Sequence, residues 1–389
     1  MQRIRAEVAI VGAGPAGLVL SHLLARAGID CVVLEARSRE YVEQRVRAGV
    51  LEQNTVDLLD ALGVGERMHR EGLVHEGIEL RFGGRGHRID MAALTGGRAI
   101  TVYGQQEVVK DLIAAGGDIR FEVDDVRVDV DRPRVAFSHE GAEYELDCDA
   151  VAGCDGFHGV CRDCVPAGVL DVHERVYPFA WLGILAHVAP PSHELIYTHH
   201  DRGFALASMR SPEVTRLYLQ VPPDTDVDDW PDDRIWEEAS MRMALEGQEF
   251  ALQAGEVFEK GVTPMRSYVC APMQHGRLYL AGDAVHIVPP TGAKGLNLAV
   301  ADVRVLAEAL TAWLADGRED LLDGYSDTCL RRVWRTQYFS YWMTSMLHRM
   351  PDDTDGFQAQ LQRAQLEYVC SSEAASRSLA ENYVGFDRV

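Results

Sequence analysis

The sequence predicts an α/β fold with a Rossmann-like nucleotide-binding domain, an inserted mixed-sheet domain and a helical C-terminal region. Three stretches lead to this prediction. Near the start, an apolar strand precedes a glycine motif, a helix and a second strand. Residues 194–221 contain three short runs in which apolar and polar side chains alternate, which is typical of strands with two unlike faces. Residues 278–299 join a strand to a helix through a turn rich in glycine and proline.

The amino-terminal stretch carries the most specific motif. The apolar run Val8–Val11 leads into glycines spaced G-x-G-x-x-G, and the strand Cys31–Leu34 ends in Glu35. The motif glycines are Gly12, Gly14 and Gly17. In this spacing the first glycine permits a tight turn, the second lets a pyrophosphate approach the backbone, and the third packs helix on strand. Because an acid about 20 residues further on holds ribose hydroxyls, the stretch predicts a dinucleotide site.

The three alternating runs predict one wall of a pocket. The runs are residues 194–197, 204–210 and 215–221. Period two pairs Leu195 with Tyr197, Leu206 with Ser208 and Arg210, and Arg216 with Tyr218. If these faces coincide, arginine, hydroxyl and phenol groups line one wall beside leucines, as a site for a small aromatic acid requires. The alternative is a half-exposed sheet whose arginines face water.

Residues 278–299 predict a second part of the nucleotide site. The strand Leu278–Leu280 is broken by Gly282 and Asp283, and we expect a helix to open within residues 291–298. A helix amino terminus favours an anion, either a phosphate or a ring that becomes anionic on reduction. Asp283 needs a different partner, such as a polyol hydroxyl. The alternative is an ordinary strand-loop-helix in which the prolines only stiffen the turn.

Composition narrows the class of protein. The 389 residues predict two or three domains, and 60 acidic against 38 basic residues leave a net charge of −22. This charge argues against nucleic acid or an anionic membrane as a partner, and no apolar stretch is long enough to span a bilayer. We expect a cytoplasmic enzyme that binds an anionic substrate in a local basic pocket.

The eight cysteines include one cluster with possible metal ligands. Cys154, His158, Cys161 and Cys164 lie within eleven residues, but the spacing is tight and no second C-x-x-C follows. We expect no metal and treat these cysteines as reduced thiols. The sequence assigns them no role.

Several motifs together resemble the flavin-dependent aromatic hydroxylases. They are GAGPAG at 12–17, RVRAGVLEQ at 45–53, CDGFHG at 154–159, RGFALASMRS at 202–211, GDAVHIVPPTGAKGLNLA at 282–299 and AENYVG at 380–385. The resemblance covers residues 8–385 and is nearest to the branch that hydroxylates 4-hydroxybenzoate at the 3-position. The longer motifs are specific to this branch, whereas G-x-G-x-x-G and Gly-Asp occur in many flavoproteins.

The resemblance implies FAD as cofactor and assigns its contacts. The ADP half is expected at Gly12, Gly14, Gly17 and Glu35, and the pyrophosphate and ribityl chain at Arg47, Gln105 and Asp283. Thr291, Lys294, Gly295 and Asn297 are expected around the flavin ring, and Arg216 matches an arginine associated with flavin movement. Arg45 belongs to a basic loop expected to meet phosphates.

The resemblance also implies the substrate contacts and the reaction. Ser208, Arg210 and Tyr218 match carboxylate-binding residues; Tyr197, Tyr383 and the Pro290 carbonyl match the groups around the phenol; His75 matches the outer end of a proton path. In this family NAD(P)H reduces FAD and O2 then forms a flavin C4a-hydroperoxide. The phenolate is hydroxylated ortho to its oxygen, which converts 4-hydroxybenzoate to 3,4-dihydroxybenzoate (protocatechuate). A phenol with a pKa near 10 needs a hydrogen-bonded path to lose its proton at neutral pH.

Two alternatives to this reaction stay open. The same reaction could act on 4-aminobenzoate or a dihydroxybenzoate, or the chain could be a non-hydroxylating FAD-binding reductase or regulator. Tyr197, Ser208, Arg210 and Tyr383 together argue against the second.

The choice between NADPH and NADH also stays open. Ala36 stands where NADPH-selective relatives carry arginine, although Arg37 and Arg45 remain. The sequence has no second G-x-G-x-x-G, so the nicotinamide cofactor lacks a binding unit of the same kind.

The predicted domains follow from the resemblance and the strand pattern. The FAD-binding domain comprises residues 1–72, 98–176 and 262–300, and the substrate-binding domain residues 73–97 and 177–261. Residues 301–389 form the helical C-terminal or interface region. Its aromatic segment, residues 338–346, is expected either in a homodimer interface or in the core.

Overall fold

The computed structural model describes residues 1–47, 49–247 and 252–385. Its strands are β1 Gln2–Arg5, β2 Val8–Val11, β3 Cys31–Leu34, β4 Val50–Glu52, β5 Leu73–His75, β6 Gly77–Phe82, β7 Arg85–Asp90, β8 Ile100–Val102, β9 Ile119–Arg120, β10 Asp124–Asp129, β11 Arg134–His139, β12 Ala142–Asp147, β13 Ala150–Gly153, β14 Asp171–His187, β15 Leu195–Thr198, β16 Ala205–Ser211, β17 Val214–Val221, β18 Glu256–Ala271, β19 Gln274–His275, β20 Leu278–Leu280 and β21 His286–Ile287.

The helices follow the same chain order. They are α1 Pro15–Arg26, α2 Arg39–Gln44, α3 Gln53–Leu62, α4 Glu66–Glu71, α5 Met91–Thr95, α6 Gln105–Ala114, α7 Asp232–Met243, α8 Gly295–Asp316, α9 Asp320–Asp323, α10 Tyr325–Leu347, α11 Phe357–Ser371 and α12 Glu373–Val384.

The first large sheet has the order β19-β20-β13-β2-β3-β9. From β20 to β9 its neighbours are parallel, and β2 and β13 are buried along their whole lengths, as parallel strands covered on both faces must be. The carboxyl ends of β2, β13 and β20 lie side by side. Both predicted nucleotide-binding turns therefore meet at one edge of this sheet, where ligands bind in α/β proteins.

The second large sheet has the order β21-β18-β14-β17-β16-β15-β6-β7. It is mixed: β15 runs parallel to β6, and the other neighbours are antiparallel. One face packs in an apolar cluster with α10, α11 and α12 and includes Tyr197 and Leu206, whereas the other face packs on α7 and includes Ile196 and Ala207. The alternation in the sequence is thus an alternation between two buried faces.

Two smaller sheets and the C-terminal helices complete the fold. The smaller sheets have the orders β1-β12-β11-β10 and β4-β8-β5. Helix α8 packs on α1 of the nucleotide-binding unit, and α10 packs on α8. Within the described residues, no helix combines the length and apolar character needed to cross a membrane.

The predicted α/β class with a mixed sheet and a helical C-terminal region is confirmed. The predicted domain boundaries at 176/177 and 261/262 fall inside β14 and β18, and the pairing of these two strands is irregular between Val176 and Ala180. The helix expected to open within residues 291–298 begins at Gly295, after a short 3₁₀ turn at Pro290–Gly292. Residues 386–389 of the predicted C-terminal region lie outside the described part of the chain.

Candidate active site

The glycines of the amino-terminal motif differ in whether folding or ligand binding requires them. Gly12 has φ +104°, and a Cβ there would lie 2.4 Å from the Cys154 carbonyl oxygen. A Cβ at Gly17 would lie 2.0 Å from the Gly12 carbonyl oxygen. A Cβ at Gly14 would meet no protein atom within 4 Å. The first and third glycines are therefore needed for folding, whereas Gly14 leaves open space beside the uncapped start of α1, as an approaching pyrophosphate requires.

Glu35 lies at the end of β3 beside this motif. Its two carboxylate oxygens accept hydrogen bonds from the backbone N–H groups of Ala13 and Arg37, each at 2.8 Å. These contacts fix the carboxylate against the glycine loop. Each oxygen keeps a further lone pair, so the carboxylate remains able to accept from hydroxyl groups.

Asp283 lies on the turn after β20, at the carboxyl edge of the parallel sheet. Its side chain is exposed to solvent, but many protein atoms surround it. This partial burial raises the pKa of the carboxyl group, and the positive charges of His286, Arg47 and Arg45 oppose that shift. Such a group is recessed in a cleft but accessible. A carboxylate in this position can accept from the hydroxyls of a polyol chain.

Pro290 is the accessible residue of the following loop. Its carbonyl oxygen accepts from the Ala293 N–H at 2.9 Å and keeps a second lone pair. The next residue, Thr291, is fully buried, and its hydroxyl hydrogen-bonds the Thr344 hydroxyl at 2.8 Å. Gly295 begins α8, and a Cβ there would meet no protein atom within 4 Å.

Lys294 and Asn297 hold this loop to distant parts of the chain. Lys294 is buried, and its ammonium donates to Glu52 Oε1 at 2.6 Å and to the Tyr383 carbonyl at 2.9 Å. The Asn297 amide accepts from the Glu52 N–H and the Thr55 hydroxyl and donates to the carbonyls of Val50 and Ala293. Both side chains are thus occupied by protein groups, which gives them a positioning role at the start of α8.

Gln105 begins α6, next to the turn after β8. Gly49 lies against this helix start, since a Cβ there would lie 2.6 Å from the Gln105 backbone nitrogen. Arg45 and Arg47 are exposed to solvent, but burial, followed by Arg45, lowers the pKa of Arg47. These positions place the basic loop beside Asp283.

The three alternating strands present the predicted common face. In the register, Tyr197 is opposite Leu206, Leu206 is opposite Tyr218, and Ser208 is opposite Arg216. Directly opposed residues share one face of a sheet, so these side chains form a single wall. Successive rows on one face are about 6.8 Å apart. The buried Ser208 therefore lies one row from Tyr197.

Arg210 lies at an irregularity in this wall. The pairing of Met209 with Thr215 and of Ser211 with Val214 leaves Arg210 as the extra residue of a β-bulge. Bulges redirect side chains and are frequent beside active sites. One guanidinium N–H of Arg210 donates to the Arg47 carbonyl at 3.3 Å.

Among the described residues, no acidic side chain forms an ion pair with Arg210 or Arg216. Burial, and then the neighbouring Arg216, lowers the pKa of Arg210 to about 10. Within the described residues, two buried nitrogens of Arg216, Nε and Nη1, have no hydrogen-bond partner, and its guanidinium stacks over the Tyr218 ring at 5.1 Å. Two neighbouring cations repel each other, an effect on Arg210 that Glu107 and Glu259 oppose, and buried donors without acceptors are costly. The arrangement fits an anionic ligand.

The tyrosines form the other end of the site. The hydroxyls of Tyr197 and Tyr383 hydrogen-bond to each other, and both side chains are buried. Burial raises the pKa of both phenols, so both hydroxyls stay protonated and neutral at pH 7. A pair of hydroxyls in contact can each donate and accept, and can therefore pass a proton along the pair.

His75 is not brought into direct contact with this pair. It is buried on β5, and neither ring nitrogen has a partner among the described residues. Burial lowers its pKa to about 4, opposed by Glu194, so the ring is neutral at pH 7. A neutral imidazole can relay a proton, but no side-chain hydrogen bond in the described structure links it to Tyr383.

The cysteine cluster belongs to the packing of the parallel sheet. Cys154 and Cys161 are buried in the core cluster and Cys164 packs against it. Burial raises the pKa of Cys154 and Cys161. In the described parts of the chain, no group of three or more potential ligands is arranged to hold a metal.

Two contacts of the site were missed in the sequence. Glu52 neutralises Lys294, and Asp302 accepts from His286 and from the Gly282 N–H. Asp302 has a signal that sequence reasoning could have used, because an acid within the otherwise apolar stretch Leu298 to Val303 of a helix calls for a buried partner. Glu52 has no such signal, since its partner is 242 residues away.

Comparisons with known proteins agree with this geometry. A family model described as an FAD binding domain matches residues 5–340. The chain is 48% identical to a p-hydroxybenzoate hydroxylase from Acinetobacter baylyi, over 99% of this chain and 96% of that protein. It is 28% identical to a probable NADH-specific resorcinol 4-hydroxylase from Rhodococcus jostii, over 82% of this chain and 61% of that protein.

A solved structure extends the likeness to the whole fold. The structure of p-nitrophenol 4-monooxygenase from Pseudomonas putida matches with a TM-score of 0.83 over 100% of both chains, at 21% sequence identity. At that identity the match concerns the fold alone.

Proposed function

The chain belongs to the FAD-dependent aromatic hydroxylases, and we propose that it hydroxylates 4-hydroxybenzoate at the 3-position to give 3,4-dihydroxybenzoate (protocatechuate), using NAD(P)H and O2. The observation that carries this proposal is the wall of the mixed sheet. It combines two neighbouring arginines, which form no ion pair within the described part of the chain, with a buried tyrosine pair. A benzoate with a hydroxyl group para to its carboxylate matches both ends, with the carboxylate at the arginines and the hydroxyl at the tyrosine pair.

Carboxylate binding is assigned to Ser208, Arg210 and Tyr218. Arginine binds a carboxylate through two parallel N–H···O bonds, which adds geometric specificity to the charge attraction. A bound carboxylate would also relieve the repulsion between Arg210 and Arg216, whose mutual proximity lowers the pKa of Arg210. Binding therefore stabilises an arrangement that is unfavourable in the free protein.

The phenol end is assigned to Tyr197, Tyr383 and the Pro290 carbonyl. A phenolate attacks an electrophilic oxygen far more readily than a phenol, so the substrate proton has to leave before the ring reacts. Tyr197 would accept the hydrogen bond from the substrate and pass the proton to Tyr383, with His75 further out. Neither tyrosine places a second anion in the buried pocket.

FAD is assigned to the cleft at the edge of the parallel sheet. Gly12, Gly14, Gly17, Glu35, Arg45, Arg47, Gln105 and Asp283 would hold its nucleotide and ribityl parts. Thr291, Lys294, Gly295 and Asn297 would define the place of its ring, and Arg216 would contact it in one of its positions. When bound and reduced, FAD supplies the electrons that activate O2. The positive start of α8 favours the reduced, anionic ring.

The reductant in the proposed reaction is NADPH or NADH. Ala36 removes one contact to a 2′-phosphate, while Arg37 and Arg45 remain close to the end of β3. Arg37 stacks on the Tyr41 ring, with its guanidinium carbon 5.4 Å from the ring centroid. We place the protein in the cytoplasm, where both cofactors are available.

A homodimer is supported by an exposed apolar patch. Trp334, Tyr338 and Tyr341 are exposed and lie at helical spacing on α10. His173 and Arg175 of β14 contact Trp334 and Tyr341, so this surface extends from the helix to the strand. Contiguous apolar patches of this kind mark association sites. Sedimentation at micromolar concentration would test this.

The proposed reaction is tested with a panel of substituted benzoates. Purified holoprotein is given 4-hydroxybenzoate, 4-aminobenzoate, 2,4-dihydroxybenzoate or unsubstituted benzoate, and NAD(P)H oxidation and product are measured together. We expect one hydroxylated product per NAD(P)H with 4-hydroxybenzoate and little product from benzoate, which has no phenol to deprotonate. More efficient product formation from another member would reassign the substrate. NAD(P)H oxidation without any product would indicate a reductase.

A further inference from the structure

A buried ion pair lies directly beneath the FAD cleft. His286 Nε2 lies 2.6 Å from Asp302 Oδ2, and the same oxygen accepts from the Gly282 N–H at 3.0 Å. The relative exposures are 1% for His286 and 0% for Asp302. Neither residue is among those assigned above to cofactor or substrate.

The pair joins both ends of the cofactor loop. Gly282 immediately precedes Asp283 on the turn after β20, His286 lies in β21, and Asp302 lies on the second turn of α8. Between His286 and α8 the chain passes through Pro290. One carboxylate oxygen therefore fixes the loop that presents Asp283 and Pro290 to the helix that follows it.

The charged atoms of the pair are also buried. Asp302 Oδ1 is buried and has no hydrogen-bond partner among the described residues. His286 hydrogen-bonds the carboxylate, and Arg332 faces it as a second cation. Loss of the His286 contact is still costly, because a buried carboxylate is unfavourable without its partners. Burial alone would lower the pKa of His286, but Asp302 and then Asp283 outweigh it and raise the pKa. Arg45 and Arg47 face Asp283 from the basic loop.

We propose that His286 and Asp302 are positioning residues for FAD, which hold the Gly282–Asp283 turn in its binding geometry and set cofactor affinity through Asp283. The proposal rests on FAD binding, which the family shows, and not on the identity of the aromatic substrate.

The first test removes the charge while keeping the shape. Asp302→Asn is purified as full-length holoprotein, and its FAD dissociation constant is measured from flavin fluorescence over a dilution series. We expect an increase of about tenfold or more, since charge-assisted hydrogen bonds are among the strongest in proteins. His286→Gln, which can still donate a neutral hydrogen bond, is expected to change affinity in the same direction, and it carries the test if Asp302→Asn does not fold.

The matched control is Glu238→Gln. Glu238 and Arg242 form another buried pair, at 3.1 Å within α7, on the far face of the mixed sheet. This variant is expected to lose thermal stability but to keep its FAD dissociation constant within about twofold of wild type. A comparable loss of FAD affinity in this control would overturn the proposal, because the effect would then follow from general destabilisation.

A double-mutant cycle distinguishes positioning from simple support of the fold. If the pair acts through Asp283, Asp302→Asn adds little further loss of FAD affinity in the Asp283→Ala background. Independent, additive losses would overturn the proposal, as would unchanged FAD affinity in both single variants of the pair. These measurements use no aromatic substrate, so their outcome is independent of whether the proposed hydroxylation is correct.

Discussion

The hydroxyl groups of Tyr197 and Tyr383 share a hydrogen bond in the protein interior, although the two residues are 186 positions apart. Both side chains are 1% exposed, and no ionised group donates to or accepts from either hydroxyl in the described structure. The pair joins the substrate sheet to α12, the last helix described. A proton that enters at Tyr197 has Tyr383 as its nearest acceptor.

Tyr383→Phe is therefore expected to separate binding from oxygen transfer. FAD content and substrate affinity should stay near wild type, while substrate deprotonation slows and more NAD(P)H is consumed without product. The measurement is the ratio of hydroxylated product to NAD(P)H consumed, with H2O2 quantified in parallel. Tyr177→Phe is the control, since it removes a hydroxyl that bonds Ser267 at 3.1 Å in the same sheet. Equal ratios in wild type and Tyr383→Phe from pH 6 to 9 would refute the relay.

Arg210→Lys is expected to weaken substrate binding far more than it slows flavin reduction at saturation. Lysine keeps the charge but cannot form two parallel hydrogen bonds, a loss of about 1.5–3 kcal/mol, or roughly 10- to 150-fold in the dissociation constant. Substrate titration by flavin absorbance gives the constant. Arg202→Lys, at an exposed arginine paired with Glu238, should leave it unchanged. Wild-type affinity in Arg210→Lys would show that the carboxylate binds elsewhere.

Gly14→Ala is expected to weaken FAD binding without harming the fold. The backbone at Gly14 has φ −75°, which alanine adopts freely, and the new methyl group would meet only the cofactor. We expect the FAD dissociation constant to rise about tenfold or more, while the apoprotein melts at the wild-type temperature. Gly261→Ala adds a methyl group in equally open space on β18 and serves as control. Gly17→Ala, which clashes with backbone, should instead fail to fold.

The buried neutral imidazole of His75 is expected to make the protein acid-sensitive. The folded pKa of about 4 lies below the ordinary 6.5, so the unfolded chain binds more protons between these values and stability falls as the pH drops from 6.5 to 4. At pH 5 the cost is about 2 kcal/mol. Urea unfolding at pH 7 and pH 5 should show a smaller pH difference for His75→Asn than for wild type. The same difference in both would place the acid sensitivity elsewhere, for example at His348, whose pKa burial lowers to about 3.

NADH is expected to support turnover within about tenfold of NADPH, a difference below about 1.4 kcal/mol. The reason is Ala36, which cannot donate to a 2′-phosphate. Steady-state kinetics with each cofactor, compared as kcat/KM, decides this. A much larger preference for NADPH would show that Arg37 or Arg45 supplies the missing contact, and alanine variants of the two would identify which.

The sequence by itself determined the local elements of this protein. The spacing of Gly12, Gly14 and Gly17 between strand and helix predicts the nucleotide-binding unit, because a tight turn and close packing restrict those positions to glycine. Period two correctly places Ser208 and Arg216 on the inward face of their strands. These features depend on residues close together in the chain, where backbone geometry alone fixes which side chains share a face.

Only the tertiary structure decided which of these elements meet. The alternation of side chains along each strand does not set the register that places Ser208 opposite Arg216. Nor does it predict the bulge that makes Arg210 an extra residue. The contact of Lys294 with Glu52 joins residues 242 positions apart, and the partner of His286 lies on a different element. Such contacts have no periodic signal, because they form where packing removes polar groups from distant parts of the chain from water and leaves them to compensate one another.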